Sequence, residues 1–243
     1  MISTMKKLSS IIILLMFFCV MAQKQVLPHF PDNQNFYKGG YTQFHIDAHQ
    51  FLIDNNYKEC ENKNESYMMK ILVNDDGSVN YIKDPDSIAV KSNKCTFDLA
   101  RKVLSNLKNY VPAEVNGIKT PAITRIIFNS GELFSSTNFL PNKDLYKDPE
   151  FPGGIENYRK KFISCFDTNG YNYSQSFRFV INFEVDTQGN FQNIYIDTSF
   201  DNDKFVSMIV DCVVPRKLKF KPGTYNGTPI TLQFSLPVSI SAD

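Results

Sequence analysis

The chain has 243 residues, with 26 Lys and Arg against 25 Asp and Glu, 42% hydrophobic residues, 5 Cys, 3 His and no Trp. A formal net charge of +1 lacks the basic excess that nucleic-acid or anionic-membrane binding requires. The apolar content and length suit one large domain or two small ones.

Residues 1–22 read as a cleaved signal segment. Lys6 and Lys7 form a basic start, residues 11–20 an apolar stretch, and Val20, Met21 and Ala22 a small-residue cleavage site before Gln23. The apolar run at 11–22 falls short of the roughly 20 residues that a spanning helix needs. The expectation is therefore a periplasmic or secreted mature chain with no stable membrane span and, once Lys6 and Lys7 are lost, about one net negative charge. Cys19 follows the bulky Phe18, a poor fit to a lipid-attachment site.

A first unit is predicted over 28–129. Phe30 and Pro31 precede a helix built on Tyr41, Phe44, Ala48 and Leu52. Tyr67, Met69, Ile71 and Val73 alternate as a strand, Asp76 and Gly77 turn the chain, and residues 79–82 pair back. Phe97, Ala100, Leu104 and Leu107 supply a second helix, and residues 121–128 a closing strand. Residues 55–65, rich in Asn, Lys and Glu, form an insertion between the first helix and the strand. All the histidines, His29, His45 and His49, lie in this unit. His45 and His49 stand four apart, a spacing that can place two imidazoles on one metal. Asp47 falls on another helix face and no third ligand offers itself, so the pair reads as partly exposed helix histidines and no metal site is expected.

Residues 130–150 are polar, carry Pro141 and Pro149, and read as a linker. A second unit follows over 151–243. Phe151, Pro152, Gly153 and Gly154 open a helix carrying Ile155, Tyr158, Phe162 and Phe166 on one face. Phe177, Phe179, Ile181, Phe183 and Val185 alternate with polar residues as a half-buried strand, and residues 191–196 pair back as a hairpin. After Asp201, Asn202 and Asp203, Phe205, Met208, Ile209, Cys212 and Val213 trace a helix that Pro215 ends. In the last strand Ile230, Leu232, Phe234, Leu236, Val238 and Ile240 face one way.

One block therefore occurs twice. Asn74, Asp75, Asp76 and Gly77, then 111–117 ending in Asn116 and Gly117, then an apolar run, recur as Asp186, Thr187, Gln188 and Gly189, then 221–227 ending in Asn226 and Gly227, then a final strand. The predicted class is α+β: two tandem small domains, each with two helices packed on a three-stranded antiparallel sheet in the order helix, strand, strand, helix, strand.

The cysteines beyond the signal fall two per unit, Cys60 with Cys95 and Cys165 with Cys212. An even number in an exported chain favours disulfides in these pairs. Four cysteines allow three connectivities, and small buried thiols are the alternative, since Cys212 sits on an apolar helix face.

No catalytic motif is legible in the sequence. It has no phosphate-binding loop, no Gly-x-Ser-x-Gly elbow and no Cys–His nucleophile pattern. Gly39 with Gly40, and Gly153 with Gly154, stand before helices, where the geometry of starting a helix explains them better than anion binding does. Asp197, Asp201 and Asp203 lack the spacing and terminal Glu of a calcium loop. No enzyme activity, catalytic residue or cofactor is expected.

The second unit resembles the C-terminal domain of TonB proteins. The resemblance rests on the Phe151-Pro152-Gly153-Gly154 opening, the turn at 185–190, Lys219-Phe220-Lys221-Pro222-Gly223, and Asn226-Gly227-Thr228-Pro229-Ile230 leading into a strand that ends Leu236-Pro237. Phe220 stands where the family motif has Trp. The first unit is similar to a diverged copy through Asp76-Gly77, Pro112-Ala113 and Asn116-Gly117. The resemblance implies two helices on a three-stranded antiparallel sheet whose exposed last strand pairs with a short segment of an outer-membrane TonB-dependent transporter. Here that strand maps to Thr228, Ile230, Thr231, Leu232, Gln233, Phe234, Ser235 and Leu236, with Pro237 terminating the pairing. The family's uncleaved membrane helix, its long Pro-rich spacer and its Tyr-Pro segment before the first strand are missing; residues 168–173 replace the last. Two functions follow: a protein-binding module of the cell envelope working by edge-strand addition, or a structural scaffold in which the two sheets pair with each other or with a second copy.

Overall fold

The computed structural model describes residues 26–135, 143–165, 177–198, 203–213 and 219–240. The signal segment, Phe166, residues 168–173, Asp201, Asn202 and Pro215 lie outside them. No helix among the described residues is long and apolar enough to cross a membrane.

The first helix, α1, spans Gly40–Asp54 and buries Phe44, His45, Ala48 and Leu52. Gly39 and Gly40 start it in the left-handed region, at φ 83° and 77°. Strand β1 (Ser66–Val73) sends Tyr67, Met69, Ile71 and Val73 into the core, and β2 (Val79–Tyr81) returns antiparallel beside it. Helix α2 (Ser87–Ser92) is capped by Asp86, whose Oδ1 accepts from the N–H groups of Ile88 and Ala89 at 3.1 and 2.9 Å. Helix α3 (Lys94–Asn106) buries Leu99, Ala100, Val103 and Leu104. A short hairpin, β3 (Ala113–Val115) and β4 (Ile118–Thr120), turns on Asn116 and Gly117, both at positive φ. Strand β5 (Ala122–Asn129) then pairs with β1 from Ser66↔Asn129 to Val73↔Ala122. The sheet order is β2-β1-β5, and helices cover the face bearing Tyr67, Ile71 and Phe128.

The second half builds its own sheet and helices. Strand β6 (Tyr146–Lys147) precedes helix α5 (Gly154–Cys165), which starts where Gly153 and Gly154 take φ 82° and 83°. Strands β7 (Phe177–Val185) and β8 (Phe191–Thr198) form a hairpin, helix α6 (Asp203–Val213) follows, and β11 (Leu232–Ile240) closes the sheet in the order β11-β7-β8. Between α6 and β11, β9 (Thr224–Tyr225) and β10 (Thr228–Pro229) join β6 in a third sheet of order β10-β9-β6. The class is α+β with antiparallel pairing between its named strands.

Residues 130–150, expected as a linker, are tied down at both ends. Helix α4 (Ser130–Phe134) continues directly from β5 and buries Leu133 in the first core, while β6 pairs with β9. The Asn-Gly turns were legible, but flanking strands of two or three residues carry no periodicity.

Two disulfides staple the helical layers. Cys60, in the loop after α1, bonds Cys95 on α3, and Cys165, ending α5, bonds Cys212 on α6, across separations of 35 and 47 residues. Chain entropy credits each closed loop with about 4 kcal/mol.

The sequence motifs of the second half meet in one place. The Gly189 carbonyl accepts from the Phe220 N–H at 3.0 Å, and the Phe220 ring packs on Phe151, Tyr158, Phe183, Phe191 and Phe234. A Cβ on Gly189 would lie 1.8 Å from the Phe220 carbonyl oxygen, whereas one on Gly227 would meet nothing within 4 Å. Both glycines have positive φ, so alanine is strained at each by about 1–2 kcal/mol. Only Gly189→Ala also drives the 185–190 turn off the Phe220 backbone. Urea unfolding is expected to show Gly189→Ala destabilised by at least about 2 kcal/mol more than Gly227→Ala.

Candidate functional site

Strand β11 is an edge strand, paired on one side with β7 from Leu232↔Val185 to Ile240↔Phe177. On the side of β7, pairing runs straight through Pro237. A proline is accommodated inside a strand when its nitrogen points away from the paired neighbour. Gln233, Ser235 and Ser239 share that lateral direction, so their N–H and C=O groups, with the Pro237 carbonyl, form the outer edge. Among the described residues no strand pairs with it.

Of the residues expected to form this edge, Leu232, Gln233, Phe234, Ser235 and Leu236 belong to β11. The first three do not. Thr228 is in β10, paired with Tyr225, and its Oγ1 donates to the Asn64 carbonyl at 2.9 Å. The Ile230 side chain is buried against Tyr225 and Ile127, its N–H bound to the Gly223 carbonyl at 3.0 Å. Thr231 is a connecting residue outside both strands. The Asn226-Gly227 turn folds this stretch into its own hairpin before the sheet begins.

The corresponding edge of the first half, β5, is occupied. Leu27 lies parallel to it, donating its N–H to Pro121 and accepting from Ile123, both at 2.9 Å. Further along, the Tyr41 hydroxyl accepts from the Ile127 N–H at 3.2 Å and donates to the Ile127 carbonyl at 3.5 Å. Arg125 Nη1 donates to the Pro28 carbonyl at 3.4 Å. With Ala122 opposite Val73 and Leu232 opposite Val185, Ile127 holds the register position of Pro237. The same edge donor is capped by a hydroxyl in one half and deleted by a proline in the other.

The faces of the two main sheets that turn away from their own cores bridge to each other. Glu184, 3% exposed, takes Lys70 Nζ and Arg125 Nη2, each at 2.7 Å, and Asn193 Nδ2 at 2.6 Å. Lys70 and Arg125 stand opposite each other across β1 and β5. Asn193, at φ 52°, sits where the register between β7 and β8 shifts, and that irregularity aims its amide at Glu184. Burial alone would raise the Glu184 carboxyl, but the bonds from Lys70 and Arg125 outweigh it and hold it below the usual range. Asp86 is similar: burial pushes it up, while the Thr187 hydroxyl and the N–H groups of Ala89, Thr187 and Ile88 bring it below its ordinary value. The Thr187 N–H donates to Asp86 Oδ2 at 2.9 Å, tying the β7–β8 turn to the cap of α2. Tyr225 donates to Glu132 at 2.5 Å, and Met68, Ile127, Tyr146, Ile230 and Leu232 join Tyr225 in a small third core between the halves.

Of the two histidines on α1 expected to be partly exposed, His49 is, with Nδ1 2.8 Å from the Leu133 carbonyl, whereas His45 is buried with its ring 4.7 Å from that of Tyr41. Burial lowers the His45 imidazole to about 4. Among the described residues the one group with three potential metal ligands is Cys60, Glu65 and Cys95, and its two sulfurs are joined in a disulfide.

No family model, no curated protein and no solved structure matches the chain.

Two outcomes follow. Tyr41→Phe leaves the Ile127 peptide without its hydroxyl partner in a covered site, a loss of about 1–3 kcal/mol that faster amide exchange at Ile127 will report. Folded-state values of Glu184 and Asp86 lie below their unfolded ones, so their stabilisation is present at neutral pH and is lost as pH falls through the carboxylate range. His45 stays neutral in the fold down to about 4 while the unfolded chain takes up its proton near 6.5, so its loss starts higher, at about pH 6.5. Urea midpoints measured from pH 7 to pH 4 will fall for the unaltered chain. With His45→Leu the fall between pH 6.5 and 4 shrinks by up to about 3 kcal/mol.

Proposed function

We propose that the chain is an extracytoplasmic protein-binding module made of two TonB C-terminal-like domains in tandem, the first diverged, that takes up an extended peptide by strand addition at β11. The reading is supported by paired correspondences beyond the motifs. Each helix α1 and α5 starts on a double glycine at positive φ, where a Cβ on Gly39 or Gly153 would lie 2.7 Å from the side chain four residues on. Each half also has an antiparallel bridge from this start to the segment before its Asn-Gly turn, Tyr37↔Tyr110 and Glu150↔Lys221. Each sheet has its last strand at an edge.

The observation that carries the function is the difference between the edges: β5 is filled by Leu27 and Tyr41, while Gln233, Ser235 and Ser239 on β11 are unpaired on their outer side among the described residues. Unpaired N–H and C=O groups in a row are a template for an extended chain. At about 1 kcal/mol net for each bond, less the cost of ordering the peptide, the affinity is weaker than about 10 μM. The implied partners are envelope proteins, with TonB-dependent outer-membrane transporters foremost, and the implied compartment is the periplasm. The reading includes no catalysis and no cofactor. A structural scaffold is the second reading, favoured by Glu184, which uses its buried charge to join the two sheets rather than to meet a ligand.

A titration with N-terminal peptides of TonB-dependent transporters, followed by backbone amide shifts, separates the two. Shifts at Gln233, Ser235 and Ser239 are expected, weakened about fivefold to tenfold by Ser235→Pro, which deletes one outward donor as Pro237 already does. No shift along β11 at millimolar peptide overturns the binding reading and leaves the scaffold.

A further inference from the structure

The opposite end of the first sheet has an edge of its own. Asn74 donates to the Ser78 carbonyl at 2.8 Å and Ile82 to the Lys70 carbonyl at 3.1 Å, so these peptides of the β2 segment point at β1. By alternation, those of Val79, Tyr81 and Lys83 point outward, and among the described residues no strand pairs with them. Beside them a groove separates β2 from α3. One apolar depression of about 230 Å³ lies over Tyr67, Met69, Val90 and Phe97, and a second of about 330 Å³ reaches Leu104, Leu107 and Tyr110. Tyr81 crosses between them, its hydroxyl donating to the Arg101 carbonyl at 2.8 Å.

The rim of the groove is mainly cationic, with Asp84 the one carboxylate lining the first depression. Lys83, Arg101, Lys102 and Lys108 are exposed, and among the described residues none of them pairs with a carboxylate. Arg101 lies over the Tyr81 ring at 5.3 Å and the Phe97 ring at 6.0 Å, at the mouth of the first depression. The nearby acids already have partners within the fold. Asp84 accepts from the Tyr67 hydroxyl at 2.5 Å and from the Asp86 N–H at 2.8 Å, Asp98 pairs with Lys94, and Asp76 accepts from the Ser78 N–H at 2.8 Å.

We propose that this groove is a second peptide site, which binds an extended acidic segment through the outer edge of β2, seats one of its aromatic or aliphatic side chains against Tyr67 and Phe97, and meets its carboxylates with Lys83 and Arg101. Open backbone groups call for an extended chain, the apolar depression for a hydrophobic side chain, and the unpaired cations for acids on either side. A second copy of this chain fits poorly, because two such edges set side by side would bring the same cations together.

The probe is the fluorescein-labelled, N-acetylated and C-amidated peptide Asp-Glu-Phe-Asp-Glu-Val, titrated against the full chain with anisotropy and backbone amide shifts as readouts. Shifts at 79–83 and along α3 are expected. Binding should weaken at least about tenfold in the double variant Lys83→Glu, Arg101→Glu and when Ser replaces Phe in the probe, and should be unchanged by Ser235→Pro. The variant's amide spectrum, otherwise like that of the unaltered chain, shows that it is folded; the probe substitution tests the same pocket without altering the protein. The proposal is overturned if 79–83 do not shift at 1 mM probe, or if the folded double variant binds as tightly. Equal binding of a peptide with Lys in place of each acid, or of an oligothymidylate, overturns it too. Loss of binding with Ser235→Pro while Lys83 and Arg101 are without effect assigns the probe to β11 and also overturns it.

Discussion

A carboxylate with almost no exposure holds the two halves of this molecule in register. Glu184 belongs to the second sheet, yet the two cations that neutralise it, Lys70 and Arg125, stand on neighbouring strands of the first. Burying a charge is costly unless every acceptor site finds a donor, and here Asn193 completes the set. The strand irregularity that aims Asn193, the register that sets Lys70 opposite Arg125 and the alternation of β7 each serve this contact. Removing Glu184 leaves two half-buried cations without a counter-charge, the more damaging way to break such a cluster. The tie between Asp86 and Thr187 and the small core around Tyr225 flank the same surface.

The join also bears on how the duplicated pattern is used. Simple repetition would offer two equivalent edges. Instead the last strand of the first sheet is closed by Leu27 and by the Tyr41 hydroxyl. The last strand of the second half keeps its outer side clear among the described residues, with a proline limiting it. In the proposed reading duplication therefore yields one bracing half and one presenting half.

Long periodic elements were legible in the sequence. Phe44, Ala48 and Leu52 at helical spacing, and Phe179, Ile181 and Phe183 in alternation, lie buried where their patterns place them, because burial of one face is what creates the pattern. The two cysteine pairs are the ones the sequence favoured over two other connectivities and over free thiols. Short ribbons such as Thr224–Tyr225 with Thr228–Pro229 were not legible, since two residues cannot show a period, and so Thr228 and Ile230 were read into the wrong strand. Glu184 could be read only as the polar side of a strand. Its role depends on partners 114 and 59 residues away, which no local spacing reveals. The Gly39-Gly40 pair, matched by Gly153-Gly154 before α5, marks the start of α1 more closely than Phe30-Pro31 does.

The disulfides bear on the order in which the chain matures. Both crosslinks lie in the helical layers, and the sheets carry none. While the four sulfurs stay reduced, the helices on each sheet are held by packing and hydrogen bonds alone, and each half forgoes about 4 kcal/mol, a large share of what a small domain retains over its unfolded chain. A freshly made chain kept under reducing conditions is thus a looser object than the finished protein, easier to keep extended and to thread through a narrow passage. Exposure to an oxidant then locks the helices down.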